Sequence, residues 1–289
     1  MQEILYEITN QNLSSYEKLV NLYAKYIAKE NEKIEIYLEG WFDANLSAVL
    51  GGICEKLLHK HKITLGCGKT EIKNILERNG FYKAHLKGEK CLDLNHSTIP
   101  YLNTPVKKEF DFVAYLKKNF FSHTKIPKLL EDTEQSILEA MQEVYDNIVQ
   151  HSKSKKFYAC GQYFHKRNQI AFCIVDTGIG FANSVNQKLT NTRLTSKQAI
   201  EWAIQRGNTT KKTTGGLGLS EIQKAIEVNC GQLYIVSGNA ILYIKNNKKE
   251  YKMLDSFFDG VIVNMIFKTE NNYQECSLEF DFEDLSKLF

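Results

Sequence analysis

Apolar positions recur along the chain with two different periods, and their alternation predicts a succession of helices and strands. A helical spacing runs through the first 30 residues at Leu13, Tyr16, Leu19, Val20, Tyr23 and Ile27. Shorter patterns then predict strands at 34–38 and 62–65 and helices at 48–59 and 71–79, the last closed by Gly80. Strands that alternate with helices indicate a small α/β domain in the first third of the chain.

A second group of patterns begins near residue 128. An apolar stripe predicts a helix that Asp132 caps, with Gln135 three residues later, and that runs to His151. A hairpin is expected next, with its turn at residues 166–168. Beyond it, the polar stretch 182–215 contains one helical piece at 196–205. A helix at 218–228, capped near Gly231, and closing strands at 232–237, 240–245 and 261–267 complete the predicted elements.

All three prolines of the chain lie between these two groups, at positions 100, 105 and 127. Clustered prolines indicate a domain boundary. Aromatic residues between them, such as Phe110, Phe112 and Phe120, indicate a connector that packs against the protein. We therefore expect a first domain at 1–105, a packed connector at 106–127, a second domain at 128–270 and a tail at 271–289. The tail is acidic and aromatic, and we expect it to pack on the body of the protein or to dock a partner.

Composition narrows the class of protein. A chain of 289 residues can form two ordinary domains, and a net charge of +3 gives no reason to expect nucleic-acid binding. No apolar run approaches the roughly 20 residues of a membrane helix, and the N-terminus does not have the pattern of a signal peptide. Seven scattered cysteines, an odd number without a CxxC pair, favour reduced thiols. We expect a cytoplasmic protein without a membrane partner.

Candidate chemistry lies in two segments of the second domain. Glu143 and Asn147 are four residues apart and share one helix face, with His151 one turn further on. Asp176 ends a strongly apolar strand, where a carboxylate is costly unless it accepts hydrogen bonds, and an adenine amino group can donate one. Gly178 and Gly180 follow and allow close backbone approach. For Glu143 and Asn147, the alternative is an ordinary amphipathic helix with a polar flank. For Asp176 and the two glycines, the alternative is a structural turn after a strand.

A third segment is the glycine loop at 215–218, which opens a helix with Leu219 as its second residue. Free N–H groups and the helix dipole make such a start suitable for phosphate, and Gly216 and Gly218 let the backbone wrap it. In the preceding loop, Lys211 or Lys212 is a candidate to neutralise a phosphate; the alternative for each is a solvated charge.

The three segments in this order resemble the N box and the two glycine boxes of the GHKL ATPases, over about residues 128–270. The resemblance implies a Bergerat-type two-layer α/β sandwich with a mixed sheet and with ATP between the layers. It implies that Asn147 is a Mg²⁺ ligand, that Glu143 orients or deprotonates the attacking nucleophile, and that residues 206–214 form a mobile lid. Many relatives follow the glycine at Gly260 with a threonine that helps to hold adenine, whereas this chain has Val261.

The first domain resembles the STAS-like domains of anti-sigma-factor antagonists, on the turn at 41–47 and the segment 75–81. In phosphorylated members a serine lies about two residues after the turn aspartate, here Asp43. That position is Asn45, and Ser47 is off register.

Together the two resemblances imply an α/β protein that binds ATP or ADP with Mg²⁺ and regulates a partner protein. We expect ATPase or serine/threonine-kinase-like activity, with lid closure on ATP controlling protein contacts. The alternative is a non-catalytic nucleotide-sensing module that acts only through partner contacts. A homodimer is left open, and the partner and the phosphoacceptor are not identified.

Overall fold

The computed structural model describes residues 1–85, 88–107, 110–124, 131–189, 192–205, 218–246 and 248–269. Within these residues the chain is a mixed α/β protein with a three-stranded parallel sheet and a five-stranded antiparallel sheet. The two sheets follow one another along the chain, in agreement with the predicted fold class.

The first sheet contains β1 (Gln2–Ile8), β2 (Lys33–Phe42) and β3 (Lys62–Cys67), in that order. The helices α1 (Leu13–Ile27), α2 (Ser47–Leu58) and α3 (Thr70–Arg78) alternate with the strands, and α4 (Phe81–His85) follows. Gly80 has the predicted left-handed conformation, with φ of 85°. The helical prediction for the first 30 residues is wrong before Leu13, because residues 2–8 form an edge strand in which only Leu5 and Ile8 are buried.

The second sheet contains β4 (Thr98–Pro105), β5 (Lys156–Phe164), β6 (Gln169–Asp176), β7 (Gln232–Lys245) and β8 (Lys248–Lys268), in the order β4-β5-β6-β8-β7. The expectation of a mixed sheet is wrong, since every neighbouring pair is antiparallel. The last eight residues expected for the first domain form the edge strand β4 of this second sheet, so the expected boundary at residue 105 falls at the end of one of its strands. The two strands expected at 232–237 and 240–245 are one strand, irregular at Gly238.

Helices cover the outer face of the second sheet. They are α5 (Phe112–Leu116), which continues as a π-helical turn at Lys117–Phe121, and α6 (Glu131–Asn147), α7 (Gly180–Asn186), α8 (Ser196–Ile204) and α9 (Gly218–Val228). Asp132 lies inside α6 instead of preceding it, so the predicted cap is wrong. The short helix α7 was not predicted because its sequence is polar. After α9 the left-handed residue is Cys230, with φ of 54°, and not Gly231.

The helices α1 and α2 lie between the two sheets. One core joins the apolar residues of the parallel sheet, of α1 and α2, and of the inner face of the antiparallel sheet, including Tyr158, Cys173 and Ile262. The other core joins the outer face of the antiparallel sheet to α5, α6, α8 and α9. The order of layers is therefore parallel sheet, helices, antiparallel sheet, helices.

Buried polar contacts connect the first domain to the second sheet. The Asn45 amide donates to Asn264 Oδ1 at 2.8 Å, and the Ala44 backbone N–H donates to Gln162 Oε1 at 2.5 Å. Asn45 and Ser47 are both fully buried. The turn that the STAS resemblance singles out is therefore packed against the antiparallel sheet.

Within the described residues, no helix combines the length and the apolar character needed to cross a membrane. Five cysteines are free thiols, at positions 54, 67, 91, 160 and 173. The expectation of reduced thiols is wrong for Cys230, which is disulfide-bonded.

Candidate functional site

A cleft opens between the outer face of the antiparallel sheet and the helices that cover it. It holds about 810 Å³ of space, its open mouth included. Its walls come from α6, β6, α7, α8, α9 and β8, that is, from segments more than 100 residues apart in the sequence. Six of the predicted site residues line it together: Glu143, Asn147, His151, Asp176, Gly180 and Leu219.

The polar wall of the cleft is the end of α6. Glu143 and Asn147 lie on one face of that helix, and His151 lies in the π-helical turn Ile148–Ser152 that continues it. Such turns insert an extra residue into the helix and are frequent at functional sites. The helix stops at Lys153, which is left-handed with φ of 57°. The half-buried position of the three side chains places a carboxylate, an amide and an imidazole along one edge of an otherwise apolar cleft.

The glycine turn, residues 176–180, forms the floor and is hydrogen-bonded to the end of that helix. The Ile179 N–H donates to the Ser152 carbonyl oxygen at 2.8 Å, and the Thr177 N–H donates to Ser154 Oγ at 3.3 Å. The Gly178 N–H donates to Asp176 Oδ1 at 2.8 Å. These bonds fix the position of the Asp176 carboxylate relative to the end of α6.

Asp176 is 2 % exposed at the end of β6, between Phe157 of β5 and Val261 of β8. Burial raises the pKa of this carboxyl to about 7, and the effect is only partly offset by the hydrogen bond from Gly178 and the positive charge of Lys56. A buried carboxyl with a pKa this far above its ordinary value is a recognised mark of a functional site. Near neutral pH it is about half ionised and is suited to accept a hydrogen bond from a bound ligand.

The two glycines of the turn are required by different neighbours. A Cβ at Gly178 would lie 1.9 Å from the Ser152 carbonyl oxygen, so a side chain there would separate the turn from α6. Gly180 has φ of 70°, and its Cβ would lie 2.8 Å from the Asp259 carbonyl oxygen. Gly180 lines the cleft, whereas Gly178 is not part of its lining. The requirement at Gly178 therefore comes from packing within the chain, which the sequence interpretation did not distinguish from approach to a ligand.

Behind the floor, the turn rests on α2 of the first domain. A Cβ at Gly52 would lie 3.1 Å from Thr177 Cγ2 and 3.2 Å from the Tyr158 ring. Glu55, on the same helix, accepts a hydrogen bond from Lys156 Nζ of β5 at 2.9 Å. The first domain thus contacts the rear of the Asp176 turn directly.

The third predicted segment is described only in part. Gly218 begins α9 and Leu219 lines the cleft, while Lys211, Lys212 and Gly216 lie outside the described residues, as does the expected lid. Sequence reasoning missed Phe181, Ser184, Trp202 and Ala203, which also line the cleft. The only sequence signal for them was Trp202, a tryptophan in the helical piece of a polar stretch.

The residues present fit a nucleotide with a magnesium ion. The cleft combines apolar side chains for a planar base with one buried carboxylate on its floor, and it places oxygen donors of Glu143 and Asn147 at its edge. Among the described residues there is no cluster of three or more His, Cys, Asp or Glu that could hold a metal by itself. A magnesium ion here would have few protein ligands, as it usually does beside phosphates.

No protein-family model matches the chain, and no curated protein matches it significantly.

Proposed function

We propose that this cleft binds ATP with Mg²⁺ and that the chain is a GHKL-type regulatory ATPase or protein kinase. The proposal rests on one observation: the polar face of α6, the Asp176 turn and the start of α9, which are distant in sequence, line one cleft with a buried carboxylate on its floor. The order of these segments along the chain is that of the GHKL boxes. The apolar walls formed by residues such as Ile174, Phe181 and Val263 suit a purine base.

In this proposal Asp176 recognises the base. Its ionised carboxylate accepts a hydrogen bond from the adenine amino group, whereas guanine has a carbonyl at that position and would repel it. The rigid hydrogen bonds from Gly178, and from Ile179 to Ser152, keep the carboxylate in place before the ligand arrives. Preorganisation of this kind reduces the entropic cost of binding.

On the α6 wall of the cleft, Asn147 would supply an amide oxygen to the metal and Glu143 would serve as the base. A carboxylate in this place accepts the proton of an attacking water or serine hydroxyl. When bound, Mg²⁺ neutralises charge on the phosphates. His151 lies one turn beyond Asn147 at the same edge of the cleft and is a candidate phosphate contact. Lys211 and Lys212 keep their proposed role as lid cations.

Regulation would pass through the contact between α2 and the glycine turn. When the cleft closes on a ligand, residues 176–180 would move. Because Gly52 of α2 packs closely against the other side of this turn, α2 would move with it. The first domain, which we propose to be STAS-like, would then report the nucleotide state to a partner protein. Because Asn45 and Ser47 are buried against the antiparallel sheet, this turn is not presented as a phosphoacceptor in the described arrangement.

A second candidate is a nucleotide sensor without catalysis. The observation in its favour is Val261, which pairs with Asp176 across the sheet and lines the cleft without a hydroxyl. In that case Glu143 would have no chemical role, and only the contacts of the protein would change with ATP.

Calorimetric titration with ATP, with and without Mg²⁺, tests the first step. Replacing Asp176 with Ala removes a charge-assisted hydrogen bond worth about 1.5–3 kcal/mol, so we expect affinity to fall roughly ten- to a hundred-fold. The exposed Asp255→Ala variant on β8 is the matched control and should bind like the parent protein. Absence of binding by the parent protein, or equal binding by Asp176→Ala, would reject the proposed site.

A further inference from the structure

The helix α1 of the first domain crosses β8 on the face of the antiparallel sheet that is opposite the cleft. Three side-chain hydrogen bonds join the helix to the strand, at 2.9, 2.6 and 2.5 Å: Tyr16 with Asn264, Glu17 with Lys252, and Tyr23 with Asp259. None of these residues lines the cleft. The third bond has a functional consequence, because Asp259 lies just before Val261, which does line the cleft.

Residues 259–260 form a bulge in β8. They lie between Phe258 and Val261, which pair with adjacent residues of β7 and so leave the two residues between them without a partner on that strand. Bulges bend a strand and are frequent next to active sites, where they change the direction of side chains. This bulge ends directly at Val261, which pairs with Asp176 across the sheet. The geometry of the bulge therefore sets the position of a residue in the cleft wall.

The backbone of the bulge packs tightly against the glycine turn. A Cβ at Gly180 would lie 2.8 Å from the Asp259 carbonyl oxygen. A Cβ at Gly260 would lie 1.9 Å from the Asp176 carbonyl oxygen. The Ser237 hydroxyl connects the same two segments, since it accepts from a backbone N–H of α7 at 3.0 Å and donates to the Gly260 carbonyl oxygen at 3.2 Å. A shift of the bulge would therefore shift the floor of the cleft.

Tyr23 holds the other side of the bulge. It is 1 % exposed, and its ring packs edge-on against Phe258 with the ring centroids 5.1 Å apart. Burial and the Asp259 carboxylate raise the pKa of the Tyr23 hydroxyl, so that it remains a hydrogen-bond donor at neutral pH. Among the described residues, no lysine or arginine forms an ion pair with Asp259. Within this part of the chain, the hydrogen bond from Tyr23 is therefore what fixes the Asp259 side chain.

We propose that Tyr23 is a positioning residue for nucleotide binding. Its hydrogen bond to Asp259 holds the bulge, and the bulge keeps Val261 and the glycine turn in the geometry in which Asp176 recognises the base. This inference rests on the proposed function, and it extends the nucleotide site to a helix of the first domain. Because binding and the position of α1 are then linked, a partner protein that moves α1 would change the affinity for ATP. ATP would change the affinity for that partner by the same factor.

Titration of the full-length chain with ATP and with GTP, both with Mg²⁺, tests the assignment. Tyr23→Phe removes only the hydroxyl and keeps the ring against Phe258. We expect the Kd for ATP to rise about five-fold, because the bulge loses a hydrogen bond and the Asp176 carboxylate is less well placed. The Kd for GTP should not change, since guanine gains nothing from that carboxylate. The matched control is Tyr26→Phe on the same helix, whose hydroxyl donates to Glu3 of β1, and it should bind both nucleotides like the parent protein.

The preference for ATP over GTP separates positioning from a general structural role. If Tyr23→Phe weakens both nucleotides by the same factor, or leaves the preference of the parent protein unchanged, the assignment is overturned. Asp259→Asn changes the other partner of the hydrogen bond and should also reduce the preference.

Combining the two substitutions should reduce the preference no further than the larger single effect, because both remove the same interaction. Additive effects would show that Tyr23 and Asp259 act separately and would also overturn the assignment. A parent protein that binds no ATP would reject the proposed site itself, and this assignment with it.

Discussion

Replacing Asp176 with Asn should stabilise the ligand-free protein, and the gain should grow with pH. In the folded protein the pKa of this carboxyl is about 7, against an ordinary value of 3.8. Between these two values the unfolded chain releases the proton while the folded protein keeps it, so the free energy of unfolding falls by about 1.4 kcal/mol per pH unit. The full loss is about 4 kcal/mol, and it is complete above pH 7. Asn has almost the same shape, accepts the same hydrogen bond from Gly178, and does not titrate.

The quantity to measure is the difference in unfolding free energy between the Asp176→Asn variant and the parent, by urea titration without nucleotide at several pH values. We expect this difference to shift by about 3 kcal/mol in favour of the variant between pH 5 and pH 8. Other titrating groups cancel in the difference. His85 is one of these groups, because burial lowers the pKa of its imidazole from 6.5 to about 4. The stability that neutral His85 contributes above pH 6.5 is lost as the pH falls through this range.

Asp255→Asn provides the matched control, because it makes the same substitution at an exposed position of β8. A difference between the Asp176→Asn variant and the parent that stays constant within about 0.5 kcal/mol from pH 5 to pH 8 would refute the reasoning. It would mean that the Asp176 carboxyl is hydrated or paired in solution and that its burial does not set its charge.

Three further predictions concern ATP. Affinity of the parent protein should rise about ten-fold from pH 6 to pH 8, as Asp176 ionises around its pKa of about 7, and calorimetry in both buffers with Asp176→Asn as the pH-insensitive reference would check this. Glu143→Gln should keep ATP binding and reduce phosphate release or transfer at least about a hundred-fold. The control is Asp146→Asn, on the same helix but outside the cleft lining, which should leave turnover unchanged. If Glu143→Gln and the parent protein show the same turnover, the result would instead favour the non-catalytic sensor. Gly52→Val should cost about 1–3 kcal/mol of stability and weaken ATP binding, because its side chain displaces Thr177, while Leu58→Val at the exposed end of α2 should do neither.

Much of the secondary structure could be predicted because its signals are local. The helices α2, α3, α8 and α9 and the β5–β6 hairpin lie within a few residues of their predicted bounds, each bounded by a clear change of period or a turn residue. The misses share a physical cause. The edge strands β1 and β4 bury few side chains, and the first half of β8 is largely exposed, so their hydrophobic pattern is weak.

The residues of the candidate site also fall into two groups: those that a local sequence signal predicts, and those that only tertiary packing brings to the cleft. Glu143, Asn147 and Asp176 could be selected from the sequence because a polar group in an apolar helix face or at the end of an apolar strand is conspicuous. Trp202 and Phe181 could not, since their membership of the cleft depends on where α7 and α8 pack. The separate requirements of Gly178 and Gly180 also depend on neighbours that are distant in sequence, such as Asp259.

Period, turn residues and isolated polar groups act over a few residues. The amino-acid sequence therefore predicts the mixed α/β class, most helices, and the three segments that carry the candidate chemistry. The tertiary structure is needed to bring the polar face of α6, the Asp176 turn and the start of α9 to one cleft, and to raise the pKa of Asp176 by burial. It also decided that α1 and α2 fill the space between the two sheets, which places the first domain against the rear of the Asp176 turn. Packing and desolvation are properties of surroundings that the chain assembles from distant residues, so no local pattern can encode them.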